Sequence, residues 1–424
     1  MLRSYSRVIR ASRTLAAAFL FGGVLIAQAV SATPPKLLSP DIHPDHTVTF
    51  SLYAPQAHEV TLNGTWPMWP GTSNIKMTKD NPTGVWSVTV GPLGVQLWAY
   101  TFSVDGVKAL DPNNSETQRD GHLYYSLLMI PGPEDALWTF NPDEPHGTVM
   151  QAWYPSPTLH ELWRRMYVYL PPGYFADQSR RYPVLYLLHG GGGDEDQWTN
   201  LGRAPVIMDN LIDSAQALPM IVVMPNGNAN QIVAQGYGLG STPSEQQRNA
   251  RPFPTPVIGP DGVQHFPRNI HFHFPAYPGS FSESLVKDII PFVDSHYRVI
   301  ADKDHRAIAG LSMGGMQTTQ ITDYNPGLFG YIGVFSGGPP SRSGKQSQIN
   351  LVTVTQLKAL KDSGVVFYWT GAGIQDMARP GTVALHKELV KLGFKTSYTE
   401  IPGTHYWYLW RPFLGDFAPL LFHN

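Results

Sequence analysis

Arg306-Ala307-Ile308-Ala309-Gly310-Leu311-Ser312-Met313-Gly314-Gly315 decides the fold of this 424-residue chain. Ala307-Ile308-Ala309 reads as a short buried strand, and Met316 to Tyr324 beyond the glycines has helix-compatible spacing. A strand that turns sharply into a helix at Gly-x-Ser-x-Gly thrusts the serine hydroxyl out at its apex. Small residues are required there because the two backbones approach closely at the turn. The pentapeptide alone is a weak signal, since a chain with 40 glycines offers many chance matches. Its surroundings decide the matter.

Upstream, Val184-Leu185-Tyr186-Leu187-Leu188-His189 runs into four glycines, Gly190 to Gly193. Acyl transfer places negative charge on a former carbonyl oxygen, and fixed N–H donors must already point at it. The amides of Gly191, Gly192 and Met313 are the candidate oxyanion-hole donors. A phosphate cradle is excluded: Asp194, Glu195 and Asp196 follow where a P-loop needs Gly-Lys-Ser/Thr. His189 reads as a structural residue that orients the loop.

Downstream, an acid must leave the carboxyl end of a later strand. Val365 to Thr370 has strand composition, and Asp376 follows it. Asp362 precedes that strand, and Asp323 reads as a solvated residue after the nucleophile helix. The apolar alternation Thr396 to Ile401 ends in Pro402-Gly403-Thr404-His405, so His405 sits where a general base can reach Ser312. The order Ser312, Asp376, His405 is that of α/β-hydrolases. These three are the candidate catalytic residues.

With 42% hydrophobic and 12% aromatic residues the chain can build two domains with real cores. Residues 1–32 read as a secretory signal peptide: Arg3, Arg7, Arg10 and Arg13, then apolar Leu15 to Val30, then the small residues Val30-Ser31-Ala32. The expected localisation is secreted or periplasmic, with no membrane association after cleavage. The remainder carries 26 basic against 32 acidic residues and no polybasic stretch, so nucleic acid is not an expected partner. Zero cysteines exclude disulfides, a lipoprotein anchor and a thiol nucleophile. His271-Phe272-His273 lacks a signalled third ligand, so neither a metal nor a cofactor is expected.

Residues 33–135 read as a small all-β sandwich, with short strands at Val48 to Leu52, Glu59 to Leu62, Val85 to Val90 and Leu97 to Val104. Residues 136–155 read as a linker. From 156 to 424 strands alternate with helices, which implies a mostly parallel sheet flanked by helices. Strands are expected at Met166 to Leu170, Val184 to Leu188 and Met220 to Met224. A helix is expected over Leu285 to Tyr297 behind the capping box Ser280 and Glu283. Residues 228–280 show little secondary-structure signal but carry Tyr237, Phe253, Phe266, Phe272, Phe274 and Tyr277. They follow a strand's carboxyl end and are expected to wall or cover the substrate site.

Several separated blocks resemble carbohydrate esterase family 1, the esterase-D-like branch of α/β-hydrolases that includes feruloyl esterases. They are Val168-Tyr169-Leu170-Pro171-Pro172-Gly173-Tyr174, Tyr182 to Gly190, Arg306 to Gly315, Gly403-Thr404-His405-Tyr406-Trp407 and Phe417 to Phe422. The resemblance covers roughly residues 146–424 and implies the same triad. Residues 33–135 resemble the family 48 carbohydrate-binding module, an Ig-like sandwich, through Val48 to Pro55, Asn63-Gly64-Thr65-Trp66, Asp105-Gly106 and Asp111-Pro112-Asn113. Trp69 falls where glycogen-binding members place a stacking tryptophan. Their lysine corresponds to Thr101 here, and their second tryptophan falls near Lys108, departures from a starch-binding pattern. Trp198, Trp407, Trp66 and Trp69 are the candidate substrate-binding residues. The implied function is a serine esterase releasing ferulate from arabinoxylan, with feruloylated plant cell-wall polysaccharide or oligosaccharide as partner. Alternatives are an enterochelin-type siderophore esterase, an acetylxylan esterase, and a non-catalytic carbohydrate-binding protein on a hydrolase scaffold.

Overall fold

Val184–Leu188 and Arg306–Leu311 are buried at every position, as parallel strands covered on both faces must be. The structure is a computed structural model that describes residues 34–66, 74–120, 123–132, 137–228, 257–260, 262–265, 275–338 and 351–423. The expected signal peptide, Trp69, His271, His273 and the insertion aromatics other than Tyr277 lie outside the described residues.

Eight strands form the main sheet: β1 (Thr148–Ser156), β2 (Glu161–Leu170), β3 (Val184–Leu188), β4 (Ile221–Pro225), β5 (Arg306–Leu311), β6 (Tyr331–Phe335), β7 (Phe367–Gly373) and β8 (Thr396–Ile401). Their order is β1-β2-β4-β3-β5-β6-β7-β8. β1 and β2 run antiparallel, β2 is antiparallel to β4, and every other neighbour pair is parallel. Alternate side chains feed two cores, as the period of two in a strand dictates. Leu185, Leu187, Ala307, Ala309 and Leu311 meet Trp369, Phe413 and Phe417 on one face. Tyr186, Leu188 and Ile308 meet Ile289, Leu357 and Leu385 on the other. The expected α/β-hydrolase fold is present.

The expected helix begins earlier than its apolar pattern suggests. Phe281–Ser284 leads into a wide turn at Leu285–Ile289 and then Ile290–His296. The capping is shifted by one residue: Ser280 accepts from the Ser282 N–H, and Glu283 accepts from Gly279 at 2.7 Å. Asp323 also departs from expectation. The helix Met313–Tyr324 still includes position 323, and Asp323 is partly buried, with Oδ1 shut off from solvent and unpartnered among the described residues. Burial pushes its pKa up to about 7.

The preceding domain is a two-sheet sandwich. Asp41–Ile42, Val48–Tyr53, Val85–Val90 and Thr78–Asp80 make one sheet. Ile75–Lys76, Val60–Gly64, Gln96–Val104, Leu123–Ile130 and Thr117–Asp120 make the other, with Val107–Ala109 paired to Gln96–Val104. Val48, Phe50 and Leu52 alternate inward onto Val60, Leu62, Tyr100 and Phe102. Trp66 belongs to this core: it is 6% exposed and stacks on Phe50 at 5.5 Å. It is therefore not placed to stack on a sugar.

The expected linker 136–155 is not one along its whole length. From Thr148 it is β1, the edge strand of the main sheet, in register with β2 from Thr148↔Leu170 onward. Nor is the sandwich a detached appendage, because residues Leu37–Asn424 group into one compact unit. Leu127, Met129 and Leu137 pack against the hydrolase core. Arg411 reaches back from the helix Trp407–Phe417 to Gln96 Oε1 at 2.7 Å and the Leu97 carbonyl at 2.8 Å. No helix among the described residues is long and apolar enough to cross a membrane.

Candidate active site

The parallel register brings four loops together at the carboxyl edge of the sheet. Leu188 pairs with Gly310, so His189 and the glycines after it leave β3 beside the turn after β5. Ser312 occupies that turn with φ 52° and ψ −115°, a strained conformation for a residue with a Cβ. Only glycine fits around it. A Cβ on Gly314 would lie 2.5 Å from the His189 carbonyl oxygen, and one on Gly310 2.4 Å from the Gly314 carbonyl.

His405 stands four residues beyond β8, and Asp376 three beyond β7. Asp376 is fully buried and His405 is 3% exposed. A carboxylate can only accept, so His405 Nδ1–H donates to Asp376 Oδ1 at 2.8 Å. That leaves the Nε2 lone pair for the Ser312 hydroxyl, 2.7 Å away. The same Asp376 oxygen also accepts from the Ala378 N–H at 2.7 Å, which fixes the carboxylate. The structure thus brings together all three residues singled out from the sequence.

Gly190 packs against Ser312: a Cβ there would come within 3.4 Å of the serine Cβ. The amides of Gly191, Gly192 and Met313 make no hydrogen bond to a described residue. His189 is structural, as expected. Its Nδ1–H donates to the Gly190 carbonyl and its Nε2 accepts from the Gly227 N–H, both at 2.8 Å. Burial holds its pKa below the ordinary histidine value, consistent with this neutral tautomer.

Trp198 and Trp407 are not where a ligand could touch them. Both are essentially inaccessible, at 1% and 2% exposure. Trp198 donates its indole N–H to the Leu188 carbonyl at 3.0 Å. It meets Trp407 edge-on at 5.3 Å, Trp407 meets Trp410 at 5.2 Å, and Trp410 meets His405 at 5.0 Å. These indoles form a rigid aromatic floor running from the end of β3 to the histidine. Large aromatics next to motif residues look alike in sequence whether they line a cleft or lie beneath it.

Sequence reasoning missed Gln264. It belongs to a two-stranded ribbon, Val257–Ile258 with Gln264–His265, inside the stretch expected to be structureless. Its N–H donates to the Gln375 carbonyl at 3.0 Å, and its side-chain oxygen accepts the His405 N–H at 2.9 Å. The insertion therefore touches the loops that carry Asp376 and His405. No periodicity or motif marks a lone glutamine for this role.

Fold and site define an α/β-hydrolase with a serine at a nucleophile elbow. A family model described as "Putative esterase" matches residues 160–258 and 272–418, more than half of the chain, and the chain belongs to that esterase family. A model for carbohydrate-binding module 48 (isoamylase N-terminal domain) matches residues 38–117. The chain is 29% identical over 396 residues to the endo-1,4-beta-xylanase/feruloyl esterase of Xylanibacter ruminicola, covering 90% of this chain and 46% of that protein. It is 24% identical over 338 residues to endo-1,4-beta-xylanase Y of Acetivibrio thermocellus, covering 73% of this chain and 26% of that protein. It thus spans less than half the length of either relative. A CE1 ferulic acid esterase from Anaeromyces mucronatus, in complex with ferulic acid, superposes with TM-score 0.52 at 24% identity, over 70% of this chain and 98% of that one. The enterobactin esterase of Shigella flexneri superposes with TM-score 0.61 at 18% identity, over 88% and 92%. The chain is therefore an α/β-hydrolase of the esterase family, preceded by a sandwich of the carbohydrate-binding-module type.

Proposed function

We propose that the chain is a secreted serine esterase that releases hydroxycinnamate, ferulate above all, from arabinoxylan. The observation that carries the chemistry is the hydrogen-bonded chain Ser312–His405–Asp376 at the sheet's carboxyl edge. His405 takes the Ser312 proton as the oxygen attacks the ester carbonyl, and Asp376 steadies the resulting imidazolium. The amides of Met313 and of Gly191 or Gly192 receive the oxyanion. His405 then protonates the departing sugar oxygen. Water, deprotonated by the same histidine, releases the acid from the acyl-serine.

The substrate class is supported by the relative named as a xylanase/feruloyl esterase, which aligns across both the sandwich and the hydrolase. Export rests on the arginine-led apolar segment at 1–32. Sugar contact by the sandwich now depends on Trp69, since Trp66 is in the core. A second reading, hydrolysis of a catecholate siderophore, is favoured by the superposition on enterobactin esterase, which extends over 88% of this chain.

One assay separates these readings: residues 33–424 and the Ser312→Ala variant on methyl ferulate, acetylated xylan and enterobactin. Methyl ferulate turnover by the parent, reduced at least ~10³-fold in the variant, is the expected result. Preference for enterobactin selects the siderophore reading. Retained turnover in Ser312→Ala removes the serine from the mechanism.

A further inference from the structure

The loop that follows the glycine run is gripped from outside by the sandwich. Arg119, on the strand Thr117–Asp120, reaches Asp194 Oδ2 at 2.5 Å and Asp196 Oδ2 at 2.6 Å. The next residue, Asp120, accepts a hydrogen bond from the side-chain amide of Gln197. The Gln197 side chain in turn lies against Gly193, where a Cβ would fall 1.8 Å from its Oε1. Asp194 is 1% exposed, so its ion pair with Arg119 is largely shielded from water.

From the hydrolase side the same loop is held by Asn228, which donates to the Gly193 carbonyl at 2.6 Å, and by the Arg165–Glu195 pair at 2.9 Å. Gly190 to Gly193 thus sit between an inner and an outer anchorage. Four consecutive glycines have the greatest backbone freedom of any tetrapeptide, so ordering them is entropically costly. An oxyanion hole works only if its donors are already fixed when charge develops. A glycine run meets that demand only when its flanks are pinned. A planar guanidinium engaging two carboxylates two residues apart is a fixture that a single ammonium cannot reproduce.

We propose that Arg119 and Asp120 are positioning residues for the oxyanion hole, so that the sandwich is a working part of the catalytic apparatus whether or not it binds sugar. The proposal rests on the reading of Ser312 as nucleophile and of Gly191 and Gly192 as donors.

The test uses the full chain and p-nitrophenyl acetate, which reports Ser312 chemistry whatever the natural acyl group. Arg119→Ala, Arg119→Lys and the exposed sandwich control Lys76→Ala are compared with the parent. Rates are normalised to active sites counted by the acyl burst. A phenylboronic acid, whose tetrahedral adduct on Ser312 occupies the oxyanion hole, supplies a second readout. Arg119→Ala is expected to lower kcat at least ~10-fold, less than the ~10²–10³-fold loss from deleting a donor. KM stays within about twofold while boronate affinity falls in parallel with kcat, because only the oxyanion-bearing state uses the hole. Arg119→Lys recovers part of the loss, and Lys76→Ala matches the parent. A kcat per active site within twofold of the parent, or a loss confined to KM with boronate affinity intact, overturns the brace while leaving the esterase reading standing. Parent hydrolysis that persists in Ser312→Ala overturns the nucleophile and the brace together.

Discussion

The side-chain oxygen of Gln264 accepts the backbone N–H of His405 at 2.9 Å, holding that histidine through a residue from the long insertion. Gln264 simultaneously donates its own N–H to the Gln375 carbonyl, next to Asp376. One residue therefore ties the loop of Asp376 to the loop of His405. Gln264→Ala should reduce kcat on methyl ferulate about 10-fold while changing KM little, since misplacing a catalytic group costs rate before affinity. Steady-state kinetics decide this; an unchanged kcat would mean the two loops hold each other without the insertion.

Trp198 gives the clearest contrast between a binding role and a packing role. Trp198→Ala removes a fully buried indole and its bond to the Leu188 carbonyl. The expected loss is about 3–5 kcal/mol of stability, seen as a lower Tm in calorimetry. KM for a feruloylated oligosaccharide should hold below that Tm. A raised KM at unchanged Tm would return the residue to the substrate site.

Gly314→Ala tests the elbow itself. The added methyl meets the carbonyl oxygens of His189 and Leu188 at 2.5 and 2.7 Å, both of them backbone atoms rather than the ends of flexible side chains. Overpacking of this kind costs typically ~1–3 kcal/mol or more. Thermal unfolding should register it, and kcat should fall because Ser312 moves with the turn.

Asp323 predicts a pH dependence of stability. Burial raises its folded pKa to about 7, above the ordinary aspartate value of about 3.9. Between these two values the folded chain holds a proton that the unfolded chain has released. Stability therefore falls as pH rises from about 4 to 7 and levels off above, by ~4 kcal/mol at most. Asp323→Asn carries no such titration. Denaturant unfolding should show the variant gaining on the parent from pH 4 to pH 8, and parallel curves would refute the buried carboxyl.

What the chain discloses before folding is uneven, for physical reasons. Gly310, Gly314, Gly190 and Gly193 are legible because a Cβ there would collide with neighbouring atoms, and Gly192 because its φ of +82° favours glycine. Val184–Leu188 is legible to the residue as a continuous apolar run buried on both faces, and Thr396–Ile401 through its strand composition closed by Pro402-Gly403. Asp376 and His405 follow from those strand ends. Gln264, Arg119 and Gln197 act through contacts between segments distant in sequence, and no local pattern encodes such contacts. Trp66, Trp198 and Trp407 show the opposite failure: type and motif proximity suggest ligand contact, while burial assigns them to cores. The edge strand Thr148–Ser156 resembles a linker because six of its nine residues face solvent.

Leu127 and Met129 lie on what a modular reading would treat as the far side of a domain boundary, yet they pack on the hydrolase core. The two halves share one hydrophobic seam, so they cannot be shuffled like beads on a string. A cut near residue 136 would strip apolar cover from the catalytic half and leave a sticky scar. Swapping in another sandwich would demand matching that seam before any new specificity could be gained. In this chain the ancestry of a module and the mechanics of an enzyme have become one inheritance.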